Sequence, residues 1–93
     1  MAQPESPKIQ MYSSSLCPYC MMAGRLLNSK GVAVELLNVD GNAELRAQMQ
    51  ARSGRTSVPQ IFIDELHVGG CDELHALEQT GKLDSLLTGD AAP

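Results

Sequence analysis

Alternating apolar and polar positions open the main part of the chain. Residues 8–12 read Lys-Ile-Gln-Met-Tyr, a period of two that predicts a first strand, and three serines end it. Apolar residues then recur at helical spacing from Pro18 to Lys30. Proline suits the first helical position, and Gly31 suits the left-handed residue after the last one. The pattern therefore predicts a strand that passes directly into a helix.

The rest of the chain alternates between segments with the period of two of a strand and segments with the spacing of a helix. We predict, in order, a strand at Val32–Val39, a helix from Asp40 to about Arg52, hairpin strands at Gln60–Ile63 and Leu66–Val68, a helix at Cys71–Thr80 and a short helix at Leu83–Leu87. The order is β-α-β-α-β-β-α before that last short helix, and the opening β-α-β unit predicts a parallel crossover. The expected fold class is α/β, a three-layer α/β/α domain with a mixed four-stranded sheet.

Composition and charge narrow the classes of protein that fit this chain. Its 93 residues, 43% hydrophobic and 19% charged, predict one small domain at 8–87 between flexible tails at 1–7 and 88–93. The net charge of -4 is opposite in sign to that of nucleic-acid binding proteins. No apolar stretch approaches the roughly 20 residues that cross a bilayer, and the first residues lack the features of a secretory signal. We therefore expect a cytoplasmic protein that binds neither nucleic acid nor membrane.

Cys17 and Cys20 form a C-x-x-C motif at the predicted junction of the first strand and the first helix. In a reducing compartment this spacing is typical of a redox-active pair or a metal site. If Pro18 is the first helical residue, Cys17 is the N-cap, and its sulfur faces unpaired N–H groups that favour a thiolate. Cys20 lies one turn later, on the apolar side. We predict that Cys17 is the catalytic nucleophile and Cys20 the more buried resolving thiol.

Two metal-binding alternatives use the same thiols. Cys71 and His75, four residues apart on a predicted helix, could complete a zinc site with the C-x-x-C pair. That set lacks a second closely spaced ligand pair, so we expect no zinc. An iron–sulfur cluster shared between two subunits is the stronger alternative and stays open. The redox interpretation requires no metal.

Two further segments have the chemistry to bind a peptide-like ligand. A cis bond between Val58 and Pro59 would turn the Val58 backbone toward an extended substrate, although a trans proline at a strand start is the commoner arrangement. Gly70 precedes a predicted helix, whose free N–H groups beside the Asp72 carboxylate match the two charges of an amino-acid head group. The alternative there is a plain turn in which Asp72 caps the helix.

These motifs, in this order and spacing, closely resemble the dithiol glutaredoxins, most of all the bacterial glutaredoxin 3 type. They read Cys-Pro-Tyr-Cys at 17–20, Ser-Val-Pro-Gln-Ile-Phe-Ile at 57–63 and Gly-Gly-Cys-Asp at 69–72. The resemblance implies a thioredoxin fold and a glutathione-dependent oxidoreductase that reduces protein disulfides and protein–glutathione mixed disulfides. Its expected partners are glutathione, as co-substrate, and disulfide-bonded or glutathionylated client proteins. We expect a monomer.

The same resemblance implies which residues bind glutathione. Pro59 would be cis, and Val58 would pair with the cysteine backbone of the tripeptide. Tyr19 would flank the ligand. The γ-glutamyl head group would be held by Gly70, Cys71 and Asp72. We expect the thiol of this third cysteine to be packed rather than glutathionylated.

One position departs from the family pattern. Where the family has a lysine two residues after the tyrosine that ends the first strand, this chain has Ser14. Glutathione is an anion, so its glycine carboxylate needs a local cation, and Arg52 or Arg55 would have to supply it. For either arginine, an ordinary solvated loop charge is the commoner role. Without a cation at position 14, we expect the thiolate of Cys17 to be less stabilised than in relatives that carry the lysine.

Overall fold

The computed structural model describes residues 7–88, which form four strands and four helices. The elements are β1 (Ile9–Ser13), α1 (Pro18–Ser29), β2 (Glu35–Asn38), α2 (Ala43–Ser53), β3 (Gln60–Ile63), β4 (Leu66–Gly69), α3 (Cys71–Gln79) and α4 (Lys82–Leu87). Apart from residues 7 and 88, the tails predicted at 1–7 and 88–93 lie outside the described residues. Within 7–88, no helix has the length and apolar character needed to cross a membrane.

The strands form one mixed sheet in the order β2-β1-β3-β4. Strand β1 runs parallel to β2 and antiparallel to β3, while β3 and β4 form the predicted hairpin. Because β1 and β2 are parallel, α1 is the crossover between them. The predicted fold class, with its mixed four-stranded sheet, is confirmed.

Alternate residues of the strands divide the core between the two faces of the sheet. The larger cluster brings β1 and β3 together with α1, α3 and α4, and consists of Ile9, Met11, Ala23, Leu27, Ile61, Ile63, Cys71, Leu74, Leu83 and Leu87. The smaller cluster involves α2 and consists of Tyr12, Val39, Met49 and Phe62. Neighbouring residues of one strand thus belong to different clusters, as strand geometry requires. Helices therefore cover both faces, which makes the three layers.

The second strand is shorter than the predicted Val32–Val39. Its parallel pairing with β1 begins where Gln10 faces Glu35. Continuing this register backwards would place Val32 opposite Pro7, which has no backbone N–H to donate. The two valines before the strand pack their side chains against the larger cluster without joining the ladder. The predicted strand is therefore confirmed at Glu35–Asn38, and the prediction is wrong for residues 32–34 and 39.

Helix α2 begins at Ala43 rather than at the predicted Asp40. The side chain of Asn42 accepts the backbone N–H of Leu45 at 3.0 Å, so Asn42 is the N-cap. Gly54 closes the helix with a φ of 73°. Because β1 ends, β3 begins and β4 ends at the same end of the sheet, the fold brings together the start of α1, the loop before β3 and the start of α3.

Candidate active site

Cys17 is the N-cap of α1, as the sequence predicts. Its backbone is extended, and its Sγ accepts the backbone N–H of Cys20 at 3.1 Å. Pro18 occupies the first helical position. A hydrogen bond from a backbone N–H to a sulfur anion is charge-assisted, and the positive end of the helix dipole adds to it. This geometry places a backbone donor and the positive end of the helix at the Cys17 sulfur.

The two thiols of the motif have different surroundings. Cys20 is 4% exposed and belongs to the buried side of α1, while Cys17 is 8% exposed. Burial, with a contribution from the neighbouring Cys17 sulfur, raises the pKa of Cys20 to about 12. All three cysteines are free. Cys20 is therefore a neutral thiol at neutral pH, which suits a group that reacts second.

The loop before β3 lies against the Cys17 sulfur. The peptide bond between Val58 and Pro59 is cis, as the resemblance implies. The Sγ of Cys17 lies 3.9 Å from the carbonyl oxygen of Val58. A ligand that pairs with the Val58 backbone would therefore have its own sulfur-bearing residue beside Cys17.

A groove of about 230 Å³ opens beside this loop. Its lining comes from α1, the loop before β3 and the start of α3, and consists of Tyr19, Arg55, Ser57, Val58, Pro59, Gln60, Gly70, Cys71, Asp72 and Glu73. The structure thus brings together every residue that the sequence assigned to ligand binding except Arg52. Three segments that are far apart in the chain form one concave surface next to Cys17.

Glu73, which the sequence interpretation did not single out, makes the hydrogen bond at the start of α3. Gly70 is the N-cap, and its backbone N–H donates to Glu73 Oε1 at 2.6 Å. At Gly69, whose φ is 114°, an added Cβ would lie 2.8 Å from the same oxygen, so glycine leaves the space for this side chain. The alternative in which Asp72 caps the helix is therefore wrong. The sequence did contain a signal for this contact, because a glutamate at the third helical position is one of the two residues of a capping box.

The two candidate arginines lie in different places. Arg55 lines the groove, and its Nη1 is 3.7 Å from Glu73 Oε1. Arg52 instead lies over the ring of Phe62, with its guanidinium carbon 3.9 Å from the ring centroid, and donates to the hydroxyl of Tyr12 at 2.9 Å. Both aromatic rings belong to the core cluster under α2. Of the two arginines, only Arg55 is in position to meet a ligand in the groove.

Gln60 and His67 support the loop from the sheet, a role that sequence reasoning missed. The Gln60 amide, 1% exposed, donates to the carbonyl oxygen of Ser57 at 3.0 Å. On its other side, Gln60 Oε1 lies 2.7 Å from His67 Nε2. Burial is the main reason that the pKa of His67 is lowered, so at neutral pH the ring is neutral and donates this N–H. A buried polar chain therefore fixes the loop that carries Val58.

Cys71 is packed, as predicted, at the boundary between the groove and the core. It is 5% exposed, and burial raises the pKa of its thiol. Its Sγ lies 3.4 Å from His75 Nδ1, and the same nitrogen is 2.9 Å from the carbonyl oxygen of Cys71. Across the described part of the chain, no group of three or more His, Cys, Asp or Glu side chains is arranged to hold a metal ion.

Comparisons with known proteins agree with this arrangement. A sequence model of the glutaredoxin family matches residues 9–68. Glutaredoxin 3 of Escherichia coli is 56% identical over 79 residues, which are 85% of this chain and 95% of the relative. The glutaredoxin of Pseudomonas aeruginosa is 52% identical over 82 residues, which are 88% of this chain and 98% of the relative.

Solved structures give the same fold. The crystal structure of a buckwheat glutaredoxin–glutathione complex has a TM-score of 0.82 and 27% sequence identity, and the match covers 92% of this chain and 81% of that one. Together with the sheet order, this likeness confirms the thioredoxin fold. The chain therefore belongs to the glutaredoxin family of thiol–disulfide oxidoreductases.

Proposed function

We propose that this chain is a glutathione-dependent oxidoreductase that reduces protein disulfides and protein–glutathione mixed disulfides. The observation that carries the proposal is the Cys17 sulfur, which accepts a backbone N–H at 3.1 Å beside the groove at Val58. The complex of the buckwheat relative with glutathione supports the same ligand for this groove. A stabilised thiolate next to a peptide-sized cleft has the two properties that this reaction needs.

For a protein–glutathione mixed disulfide, the thiolate of Cys17 attacks the sulfur of the glutathione half. The disulfide bond to the client breaks, and the client sulfur leaves and takes up a proton. Cys17 is now joined to glutathione. A second glutathione thiolate attacks the glutathione sulfur of this intermediate, which releases glutathione disulfide and regenerates the Cys17 thiolate. In the net reaction one disulfide replaces another: the client thiol is released, and one free glutathione joins the glutathione of the mixed disulfide as glutathione disulfide.

For a protein disulfide, Cys20 acts in the second step. Cys17 attacks one client sulfur and forms a mixed disulfide, and the other client sulfur leaves as a thiol after protonation. The Cys20 thiol then loses its proton and attacks Cys17, so that the client departs fully reduced and a Cys17–Cys20 disulfide remains. Two glutathione molecules reduce that disulfide. Because burial keeps Cys20 protonated, it does not compete with Cys17 for the first attack.

The groove has a complementary group for each part of glutathione. The backbone of Val58 would pair with the cysteine residue of the tripeptide. Since Gly70 donates its N–H to Glu73, the donors for the γ-glutamyl carboxylate are the next N–H groups of α3, those of Cys71 and Asp72. The Asp72 carboxylate, exposed at the groove, would bind the ammonium.

The other end of glutathione would lie between two more residues of the groove. The side chain of Arg55 would bind the glycine carboxylate, and Tyr19, 60% exposed, would flank the tripeptide.

We further propose that the protein acts as a monomer in the cytoplasm on disulfide-bonded or glutathionylated clients. The groove needs no residue from a second copy to be concave, which is compatible with a monomer. Leu16, directly before the nucleophile, is 95% exposed, and with Tyr19 it gives the site an apolar rim suited to a protein client. Three free cysteines are compatible with a reducing compartment.

The test compares Cys17→Ser with Cys20→Ser, using a cysteine peptide in mixed disulfide with glutathione. Cys17→Ser is expected to abolish turnover, and Cys20→Ser to keep it, because the second glutathione replaces Cys20 in that reaction. On a protein disulfide, Cys20→Ser is expected to lose most of its activity. Undiminished turnover by Cys17→Ser on either substrate would contradict the proposal.

The alternative function is the iron–sulfur cluster held between two subunits through Cys17 and glutathione. Anaerobic purification separates the two functions. A brown dimer that is inactive toward mixed disulfides supports the cluster, and a colourless, active monomer supports the enzyme.

A further inference from the structure

The groove has more negative than positive side chains. Its charged lining residues are Arg55, Asp72 and Glu73, one cation and two carboxylates. The chain as a whole also has a negative net charge of -4. The glycine carboxylate of a bound glutathione therefore depends on Arg55, and Arg55 already lies 3.7 Å from the Glu73 carboxylate.

The position of Glu73 does not depend on Arg55. Its Oε1 accepts the Gly70 N–H at 2.6 Å, a bond that belongs to the start of α3. Gly69 gives the side chain the space it occupies, because a Cβ there would lie 2.8 Å from this oxygen. The hydrogen bond from Gly70 is also the main reason that the pKa of Glu73 is lowered, so the carboxylate is charged at neutral pH. The negative charge is thus built into the helix start.

Arg55 is the more adjustable member of the pair. It lies in the loop between α2 and β3, with its side chain 47% exposed. Its backbone is anchored, since its N–H donates to Ser53 Oγ at 3.0 Å. At 3.7 Å, its contact with Glu73 is longer than a charge-assisted hydrogen bond of about 2.8 Å. The guanidinium can therefore turn toward a ligand carboxylate, but that carboxylate would then lie close to Glu73.

We propose that Glu73 is a specificity-determining residue, which offsets the charge of Arg55 so that the groove discriminates little between anionic and neutral tails of a bound thiol. This inference rests on the proposed glutathione function. It extends the substrate class to mixed disulfides of γ-glutamyl thiols whose terminal carboxylate is esterified or amidated. Relatives that bind the tail with an uncompensated cation would reject such thiols more strongly.

The chain offers substitutions that separate charge from structure. In Glu73→Gln, the side-chain amide oxygen can still accept the Gly70 N–H, so the helix start is retained while the charge is removed. Asp72→Asn is the matched control, since it makes the same change of charge one residue away. Asp72 is proposed to bind the ammonium, which both kinds of substrate share, so its loss should weaken both alike.

The experiment measures how fast reduced protein, in a Cys20→Ser background, releases a fluorescent cysteine peptide from a mixed disulfide. One substrate carries glutathione and the other carries glutathione esterified at its glycine carboxylate. The second-order rate constant for the glutathione substrate, divided by that for the esterified substrate, reports on recognition of the glycine carboxylate. We expect a ratio below about 3 for the unsubstituted groove at low ionic strength, within the range of one exposed ion pair.

Glu73→Gln is expected to raise this ratio about 1.5- to 5-fold, and 0.5 M salt to remove the increase. Adding Arg55→Gln is expected to abolish it as well. The inference is overturned if Glu73→Gln has the melting temperature of its parent and also the same ratio. It is likewise overturned if Asp72→Asn raises the ratio as much as Glu73→Gln does. If neither mixed disulfide reacts faster than it does with an unstructured thiol, the proposed function fails, and the inference fails with it.

Discussion

The hydroxyl of Ser14 donates a hydrogen bond to Asp40 Oδ1 at 2.7 Å. The other carboxylate oxygen, Oδ2, accepts the backbone N–H of Ser15 at 2.8 Å. These hydrogen bonds lower the pKa of Asp40, so its carboxylate is charged at neutral pH. The loop that leads to Cys17 is therefore tied to an anion at the place where the family pattern has a lysine. In this chain a backbone donor faces the Cys17 sulfur, and position 14 supplies no cation.

Placing a cation at position 14 is expected to make Cys17 more reactive. In Ser14→Lys, the ammonium would neutralise Asp40 and add positive potential beside the sulfur, which favours the thiolate. We expect alkylation of Cys17 by iodoacetamide at pH 7 to be about two- to fivefold faster, since an exposed charge pair contributes less than about 1 kcal/mol. The measurement uses protein in which Cys17 is the only cysteine.

Ser14→Ala is the control, because it removes the hydrogen bond to Asp40 without adding charge. Its alkylation rate should stay close to that of the parent. Equal alkylation rates for the lysine and alanine variants would mean that a charge at position 14 does not affect the reactivity of the Cys17 sulfur.

The two arginines before β3 are expected to have separate effects. Arg52→Ala removes the cation from the face of Phe62 and the hydrogen bond to Tyr12, so it should lower the free energy of unfolding by about 1–3 kcal/mol. Its KM for glutathione mixed disulfides should not change. Arg55→Gln should leave stability within about 0.5 kcal/mol, because that side chain is half-exposed, and raise this KM about two- to fivefold.

Urea denaturation and steady-state kinetics on the same preparations separate these effects. A higher KM in Arg52→Ala at unchanged stability would show that Arg52, rather than Arg55, binds the carboxylate of the ligand.

The raised pKa of Cys20 makes the stability of the reduced protein depend on pH in the alkaline range. Its value is about 12 in the folded protein, whereas an ordinary thiol in an unfolded chain titrates near 9.0. Between these values the unfolded chain loses a proton that the folded protein keeps, so the free energy of unfolding falls as pH rises above about 9. One proton accounts for at most about 1.4 kcal/mol per pH unit.

Cys20→Ala should reduce this slope by up to one proton when the unfolding free energy is measured in reductant between about pH 8 and 10.5. The remaining groups titrate in both proteins and cancel in the difference. Parallel pH profiles for the two proteins would show that Cys20 titrates as an ordinary thiol in the folded state.

Local signals made much of the site predictable from sequence. Pro18 and the preceding cysteine define a helix start, and a sulfur at an N-cap faces backbone donors whatever the rest of the fold does. The position of Arg52 could not be predicted in this way. Its partners, Phe62 and Tyr12, lie on two different strands, so the contact exists only once the sheet has formed beneath α2.

The shortened β2 and the Gln60–His67 pair were missed for similar reasons. Strand pairing depends on the register with β1. An apolar segment such as 32–34 does not reveal whether the residues opposite it on β1 can pair with it. The amide of Gln60 is buried because a histidine from the neighbouring strand satisfies it, and a glutamine in an apolar strand does not reveal that partner. Glu73, in contrast, lies at a spacing that sequence rules recognise.

The most direct test of the account is the alkylation rate of Cys17 at pH 7 in a Cys20→Ser, Cys71→Ser protein, compared in the folded state and in urea. Backbone stabilisation of the anion predicts a folded rate at least about tenfold higher, because an ordinary thiol is at most about 3% ionised at this pH. It also predicts that the folded rate changes less with pH between 6 and 9 than the unfolded rate does. Equal rates with the same pH profile in both states would contradict the assignment of Cys17 as the nucleophile.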